Sequence, residues 1–591
     1  MSKIRINSIS IKNYRSFGPE VQEFDFTRAT DKRLPLAIVG YNNVGKTNLM
    51  NAIRYALYES VNEDTWDLKD FYDCKLENLP SLDIKYNIGI KNHPITNKIM
   101  EELKTGITKL EMDQGKLKVN QGFSNNKWTI KNFTNIFYIN FHEIKDQLNI
   151  QKSSWGNIKS FLGKHIKKLV DEDDLMESRK DQFKIDVETA TNTVLKETSL
   201  DNFIKSIKTN YCQNLRGNDC KVEFGLPDYE DIFLQMMFKI GLNRESENLV
   251  PISHFGDGYI SMFVMSVIQA IAEENDEDKC LFLFEEPESF LHENHQEYFY
   301  KTVLCELAEK GHQVIYTTHS DKMVDVLKPD SLIRLKFDEE KKQTVKTFPN
   351  QNIGENPLDK IEKIEFENEE MPISEYNSYI KNIEPNLNKI LFSEKVVLVE
   401  GPNDLLVYKY LIEKKAGEKA DIDKKIKNKS PEEKEKWSKA YLNFHNFAII
   451  PHHGKSTAYL LANLCKYLGI DYFLINDWDF ESFELTKEQV SIFDSEYELK
   501  KDTIYTLQPN SHKKGTVTTN WKLIKSAKSD QIHFNIPKLE GLIGWTGNED
   551  KNSAKIWKAI QTKFPTTNEI NKDIFPQGLV DFLELEKINI T

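Results

Sequence analysis

The octapeptide Gly40-Tyr41-Asn42-Asn43-Val44-Gly45-Lys46-Thr47 constrains the fold of this chain more than any other stretch. It has the form G-x4-G-K-T. The apolar run LPLAIVG leads into it, and Asn48 follows, opening a segment in which Leu49, Met50, Ile53 and Leu57 recur at helical spacing. A buried strand passing through a glycine turn into a helix is the setting of a phosphate loop. The glycines let backbone N–H groups wrap a phosphate, Lys46 reaches the outer phosphates, and the Thr47 hydroxyl takes a magnesium ion. A sheet with covering helices, an α/β layering, is therefore expected.

At 591 residues the chain is long enough for about three to five domains at ~100 to 200 residues each. Hydrophobic residues make up 39% and charged residues 29%, which suits several packed cores and excludes a disorder-like composition. The start, MSKIRINSISIKNYRSF, has no apolar h-region, and no run reaches the ~18 apolar residues of a membrane span. The six cysteines lie far apart without a CxxC pair, against a disulfide framework or zinc ribbon. A cytoplasmic, non-membrane setting is expected. With 79 basic and 92 acidic residues the net charge is -13. Any nucleic-acid contact must then come from local patches such as Lys164, Lys167 and Lys168, Lys424 to Lys429, or Lys513 and Lys514.

Along the chain, KIRINSISIKNY alternates as a half-buried strand. CLFLFEEPESFLHE and HQVIYTTHS are apolar runs that end in acidic or hydroxyl residues, as parallel strands do when they face a ligand crevice. Upstream of both runs, apolar positions set in charged sequence, among them Ile158, Phe161, Val194 and Ile204, predict helices outside the main core. The polar stretch from Lys336 to Glu370, with Pro349, Gly354 and Pro357, reads as a domain junction. Beyond it KVVLVEG, FAIIPHHG and DYFLINDWD are strand-like runs separated by helical segments, a second α/β unit. The expected division is 1–345, containing a helical insertion at 150–215, a junction at 346–390, and a second domain at 391–591.

In the first domain Glu285 and Glu286 end the strand LFLFE, one suited to hold magnesium through water and the other to polarise an attacking water. With the phosphate loop, His319 after VIYTTHS and the loop Gly256-Asp257-Gly258, they resemble an ABC-type ATPase head of the SMC, RecF and Rad50 kind. The resemblance implies ATP as cofactor, Glu286 as catalytic glutamate and His319 as switch histidine. It also makes His142 or Glu143 a magnesium-sensing lid, and implies dimerisation that brings the Gly256–Gly258 loop of one head to the nucleotide of another. The loop reads HFGDGYIS rather than Ser-Gly-Gly, and Glu285 stands where Asp is usual, departures that point to slow turnover.

In the second domain a strand ends at Glu400, Gly401 permits a turn and Pro402 suits a helix first turn, which brings Asp404 back toward Glu400. A third strand ends in Asp477 and Asp479, two apart and on one side if the segment stays extended. Four hard oxygen ligands at strand ends suit Mg2+ or Mn2+, and a pair of ions ~4 Å apart would stabilise both the attacking and leaving oxygens of a phosphodiester. VEGPND followed by NDWD resembles a Toprim domain. Together ILFSEKVVLVEGPNDLLVY, IIPHHGKST and LINDWD, downstream of Glu285-Glu286-Pro287-Glu288, are similar to the OLD (overcoming lysogenization defect) nucleases over nearly the whole chain.

That resemblance implies an ATP-regulated, metal-dependent DNA endonuclease, with Glu400, Asp404, Asp477 and Asp479 as metal ligands and Glu481 and Glu540 as further ones. Lys551 or Lys555 would neutralise charge on the pentacoordinate phosphate. Lys455 is either a phosphate contact or a surface lysine, while His452 and His453 read as loop residues. Relatives in Gabija systems and some retrons imply antiviral defence. DNA, a second copy of the head, and a helicase or reverse transcriptase encoded nearby are the implied partners, with residues 150–215 a dimer contact. The rival readings are an ATPase sensor with a non-cleaving Toprim scaffold and a RecF-like repair clamp.

Overall fold

The computed structural model describes residues 2–57, 61–90, 105–121, 136–143, 174–199, 201–203, 239–240, 250–251, 254–274, 279–349, 356–366, 369–479, 519–520, 522–524, 531–545 and 552–586, with 205, 206, 209, 526 and 527 in addition. Two compact units emerge. One is Met1–Ile6, Tyr86–Lys104 and Phe123–Tyr316, and the other Asn7–Lys85, Thr105–Gly122 and Thr317–Thr591. In chain order the strands begin with β1 (Ser2–Lys12), β2 (Gln22–Asp25), β3 (Leu36–Val39), β4 (Ser81–Ile90), β5 (Thr105–Asp113), β6 (Lys116–Gln121), β7 (Ile136–Asn140), β8 (Lys239–Ile240) and β9 (Val250–Pro251). They continue with β10 (Leu281–Glu285), β11 (Gln313–Thr317), β12 (Leu332–Asp338), β13 (Gln343–Phe348), β14 (Lys363–Phe366), β15 (Glu369–Pro372), β16 (Lys395–Val399), β17 (Phe447–Pro451), β18 (Asp471–Asp477) and β19 (Ile532–Asn535).

In the first unit β10 runs parallel to β7, with Glu285 opposite Asn140. Every residue of β10 is buried, the continuous apolar pattern of a strand covered on both faces. Phe282 packs on Phe137 and Phe284 on Phe141, with ring centroids 5.1 and 6.2 Å apart. A helix, Asp257–Glu274, starts at the glycine-flanked Asp257. A long helix, Asp174–Leu195, leaves Leu175, Ile185 and Val194 exposed, as expected of helices outside the core. Most of the remaining expected insertion lies outside the described residues. No described helix is long and apolar enough to cross a membrane.

In the second unit β4, β5 and β6 form an antiparallel meander, and β1 pairs antiparallel with β2. Strand β12 lies parallel to β3 and antiparallel to β13. The polar stretch beginning at Lys336 is therefore built differently from the loop-like junction that its composition suggested. It first completes the β12–β13 hairpin, then forms the β14–β15 hairpin, and the helix Ile373–Ile383 follows. Its polarity is that of hairpin strands with one face to water. Arg334 of β12 is in register with Val39. Its buried guanidinium donates from Nε to Leu391 O at 3.1 Å and from Nη2 to Ser393 O at 2.8 Å. These bonds offset the cost of burying the charge.

A four-stranded, wholly parallel sheet follows, ordered β17-β16-β18-β19. Val396 to Val399 are fully buried, each contributing ~1.5 to 3 kcal/mol from burial. The chain leaves β16 through the helix Pro402–Ala420 to β17 on one side, then crosses back through Lys455–Leu468 to β18 on the other. Val397, Val399, Phe473 and Ile475 pack with Val407, Tyr408 and Leu411 of the first of these helices. The outward reversal between β16 and β18 is a topological switch point, and in such sheets ligands bind at the carboxyl ends of the strands that flank it.

Candidate functional site

The phosphate loop bridges β3 and the helix Lys46–Leu57. Gly40, Asn43 and Gly45 have φ of +153°, +64° and +95°, and a left-handed backbone at Gly45 is open to glycine at least cost. Lys46 is 4% exposed. Its Nζ donates to Gly40 O at 3.0 Å and Tyr41 O at 3.1 Å and lies 3.2 Å from His319 Nδ1, which must accept because an ammonium only donates. The loop's base is braced by Asn48 Nδ2 donating to Ser16 Oγ at 2.8 Å and Thr344 Oγ1 donating to Val44 O at 2.8 Å. Thr47 starts the helix beside Lys46, where free N–H groups and the helix dipole favour an anion.

A β-carbon at Gly45 would sit 2.6 Å from both Ser16 Oγ and Thr344 Oγ1. Gly45→Ala is expected to weaken ATP binding at least ~10-fold, because the strained φ and the displaced brace cost ~1 to 3 kcal/mol. Titration with a fluorescent ATP analogue checks this, and unchanged affinity refutes the cradle.

In the first unit Glu285, 4% exposed, accepts a hydrogen bond from the Tyr138 hydroxyl of the paired strand. Glu286 turns out of the strand at φ +45° and lies 2.6 Å from His142 Nε2, which Ser289 Oγ also approaches at 3.2 Å. His142 thus contacts the carboxylate expected to polarise water. Glu143 ends the same short 3-10 turn. Gly256 and Gly258 flank the N-terminus of the helix Asp257–Glu274, and a β-carbon at Gly258 would come within 3.0 Å of Phe290 O.

At the switch point Gly401 caps and Pro402 opens the helix after β16, so Asp404 falls in its first turn, as the local sequence predicts. Glu400 Oε2 accepts the Asp477 N–H at 2.9 Å. Burial, then Asp477 and Glu400, push the Asp404 carboxyl up to about 8. Burial and then Glu400 push Asp477 up to about 7, against hydrogen bonds from Leu539 N–H and Asn535. Glu400 is raised as well, chiefly by burial. Glu540, in the short helix Leu539–Leu542, adds its repulsion to Asp404 and Asp477. Asn535 links the two sides, accepting from Tyr408 OH at 2.8 Å and donating from Nδ2 to Asp477 Oδ1 at 3.3 Å.

Asp479 departs from the expected geometry. Strand β18 ends at Asp477, and Asp479 has φ +69°, so the two-residue alternation that would set both side chains on one side does not reach it. Instead its carboxylate pairs with Lys455 at 2.5 Å and Lys538 at 3.0 Å. Burial raises its pKa, but the two ammonium groups outweigh that and hold it below the ordinary value. Lys455 is a part-buried ion-pair partner. His452 is 1% exposed, with burial lowering it to about 4, and His453 pairs with Glu384 at 3.3 Å. Lys555 is exposed in the helix Ser553–Lys563, whose first residue donates from Oγ to Asn403 Oδ1 at 2.9 Å, next to Asp404. Glu481 and Lys551 lie outside the described residues.

Among the described residues, no three His, Cys, Asp or Glu side chains converge closely enough to bind one ion as they stand. The donor set nevertheless fits a hard divalent cation. Its ligand atoms are carboxylate oxygens, Asp404 Oδ1 is buried without a hydrogen-bond partner, and the repulsion that raises Asp404 and Asp477 is the kind a dication relieves. Asn535, Tyr408 and Lys538 were missed by sequence reasoning. Asn535 and Lys538 follow Asp477 by more than 50 residues with no motif between to signal them.

Residues 82–324 match a family model described as an AAA ATPase domain, and residues 391–479 one for the overcoming lysogenization defect protein-like TOPRIM domain. The phosphate loop precedes the first matched stretch. The Old nuclease of Escherichia phage P2 is 23% identical over 545 residues, covering 88% of this chain and 84% of the relative. The endonuclease GajA of Bacillus cereus (strain VD045) is 22% identical, covering 69% and 68%. The OLD nuclease of Thermus scotoductus (strain ATCC 700910 / SA-01) is 22% identical, covering 58% and 54%. An Smc head bound to the C-terminal winged-helix domain of ScpA aligns with 58% of this chain at a TM-score of 0.32 and 12% identity. The chain thus carries an AAA ATPase domain followed by an OLD-like Toprim domain, and over most of its length it is similar to the Old nuclease of phage P2.

Proposed function

We propose that this protein is an ATP-regulated, metal-dependent DNA endonuclease acting in defence against phage. The observation that carries the reading is the gathering of Glu400, Asp404, Asp477 and Glu540 at the carboxyl edge of a parallel sheet, within range of one another's charge. Such like-charge burial is costly without a counter-ion. Glu400, Asp404, Asp477 and Glu540 would hold Mg2+ or Mn2+, with Glu481 completing the set and Asp479 acting on it from its lysine pair. When bound, the ions supply Lewis-acid stabilisation of the attacking and leaving oxygens. Glu400, whose carboxyl is raised chiefly by burial, would accept the proton of the attacking water. Lys551 or Lys555 would balance charge on the phosphorus centre.

In the head, Lys46 and the loop N–H groups would hold ATP phosphates and Thr47 a magnesium ion, while the family resemblance gives Glu285 a magnesium-binding role and Glu286 that of polarising the attacking water. His319 would report the γ-phosphate, and the Gly256–Gly258 loop would serve a second copy. The relatives named Old nuclease and endonuclease GajA support the nuclease reading, and the motif resemblance to nucleases of Gabija systems and some retrons supports defence. Exposed Leu175, Ile185 and Val194 support a contact between copies near residues 174–195.

The test is cleavage of supercoiled and linear DNA by wild type and Lys46→Ala, with Mg2+, Mn2+ or EDTA, each with and without ATP. Wild type should cut only with metal, and Lys46→Ala should cut without responding to ATP. Cutting that survives EDTA would sink the metal assignment. The carboxylates' failure to converge as they stand favours a non-cleaving scaffold as the rival, which the absence of cutting in any metal would select.

A further inference from the structure

Asp479 is bound by two ammonium groups that differ in one respect. Lys455, the first residue of its helix, has a side chain 10% exposed, whereas that of Lys538 is 51% exposed. One cation balances one carboxylate, so the exposed lysine is positive charge in excess of what Asp479 requires. Its backbone is fixed from both sides. Pro537 O accepts the Asp479 N–H at 2.8 Å, and Leu539 N–H donates to Asp477 Oδ1 at 2.9 Å. Lys538 therefore stands between the two aspartates, its ammonium under the charge of Asp479 first and then of Asp477 and Glu540.

A DNA strand approaching Glu400, Asp404 and Asp477 meets a field of its own sign. It needs a cation at the wet rim that is free to change partners. Lys455, its side chain 10% exposed, is enclosed against Asp479 and is not presented to the rim. Lys538 is not so restricted: an ion pair half open to water is weak because water and salt screen it, and Asp479 keeps Lys455 when it leaves. We propose that Lys538 takes a DNA phosphate adjoining the bond to be cut, exchanging Asp479 for the substrate. The inference rests on the endonuclease reading and names a substrate-positioning residue for it.

The experiment compares Lys538→Ala and Lys538→Arg in the full chain. Binding of a short DNA duplex is measured against NaCl concentration in an Asp477→Asn background, which suppresses cutting and keeps the acceptor for Leu539 N–H. Adding Lys538→Ala should lower the slope of log K against log[salt] by about 0.9, one phosphate's worth, and Lys538→Arg should restore it. With Asp477 intact, Lys538→Ala should slow cutting ~10- to 100-fold and Lys538→Arg recover most of that, at an unchanged melting temperature. A lysine that only steadied Asp479 would shift the melting temperature and leave the salt slope alone, which overturns the proposal, as does an unchanged slope with normal cutting. If Asp477→Asn cuts like wild type, or wild type does not cut, the endonuclease reading fails, and the salt slope still decides whether Lys538 meets DNA.

Discussion

Asp477→Asn should cut DNA ~10²- to 10³-fold more slowly than wild type while binding ATP with unchanged affinity, the scale on which removing one preorganised electrostatic element acts. Asparagine is the informative replacement because Asp477 Oδ1 also has a structural task. It accepts from Leu539 N–H at 2.9 Å and Asn535 Nδ2 at 3.3 Å. Alanine would leave both donors unmatched, at ~1 to 3 kcal/mol each, and a loss of cutting could then be blamed on the fold. The amide keeps an acceptor there and removes only the charge. Single-turnover cleavage, nucleotide titration and thermal melting together check it. A variant that melts like wild type and cuts like wild type removes Asp477 from the reaction.

The second large effect is on stability and has a defined sign. Asp404 is pushed up to about 8 in the folded chain, mainly by burial and then by Asp477 and Glu400, from an ordinary value of 3.8. Between those values the native state holds a proton that the unfolded state has released. Metal-free stability should therefore be greatest at low pH for this group and be lost as pH rises toward 8. The amount is on the order of a few kcal/mol, and it is shared with Asp477 because the two carboxyls titrate together. In EDTA, Asp404→Asn should gain on wild type steadily from pH 5 to pH 9 in urea denaturation, and Mg2+ should stabilise wild type more at pH 9 than at pH 6. Parallel pH profiles for the two proteins would contradict the buried, mutually repelling cluster.

Much of this was legible because the signals are short. A strand, a glycine turn and a helix are specified within about 20 residues, and so the phosphate loop and the Glu400-Gly401-Pro402-Asp404 turn both appear where local pattern places them. Alternation failed two residues past a strand end: it assumes extended backbone, and Asp479 turns left-handed. Partners supplied by distant chain were not legible at all. Tyr138 on Glu285, Asn535 on Asp477 and Lys538 on Asp479 join residues 58 to 147 positions apart, and each is a common residue type in an unremarkable local sequence.

The contact made by Arg334 bears on which positions tolerate change. Its guanidinium grips the carbonyl oxygens of Leu391 and Ser393, atoms that every amino acid possesses. This contact itself does not read the side chains of residues 391 and 393, which are held by other means, Leu391 by complete burial and Ser393 by donating to Lys389 O at 2.8 Å, and it joins β12, alongside the strand that feeds the phosphate loop, to the segment that leads into β16 and Glu400. Arg334 itself has little latitude, since a lysine at that depth offers one nitrogen for two divergent acceptors. The seam between the nucleotide-binding and acidic-sheet parts of this unit thus joins side chain to main chain at Arg334 and side chain to side chain at the Lys336–Glu394 ion pair, 2.5 Å, and at Arg28 Nη2 donating to Tyr467 OH, 2.8 Å, so a shuffled or grafted Toprim segment needs to preserve its backbone path at 391 and 393 and its side chains at 394 and 467.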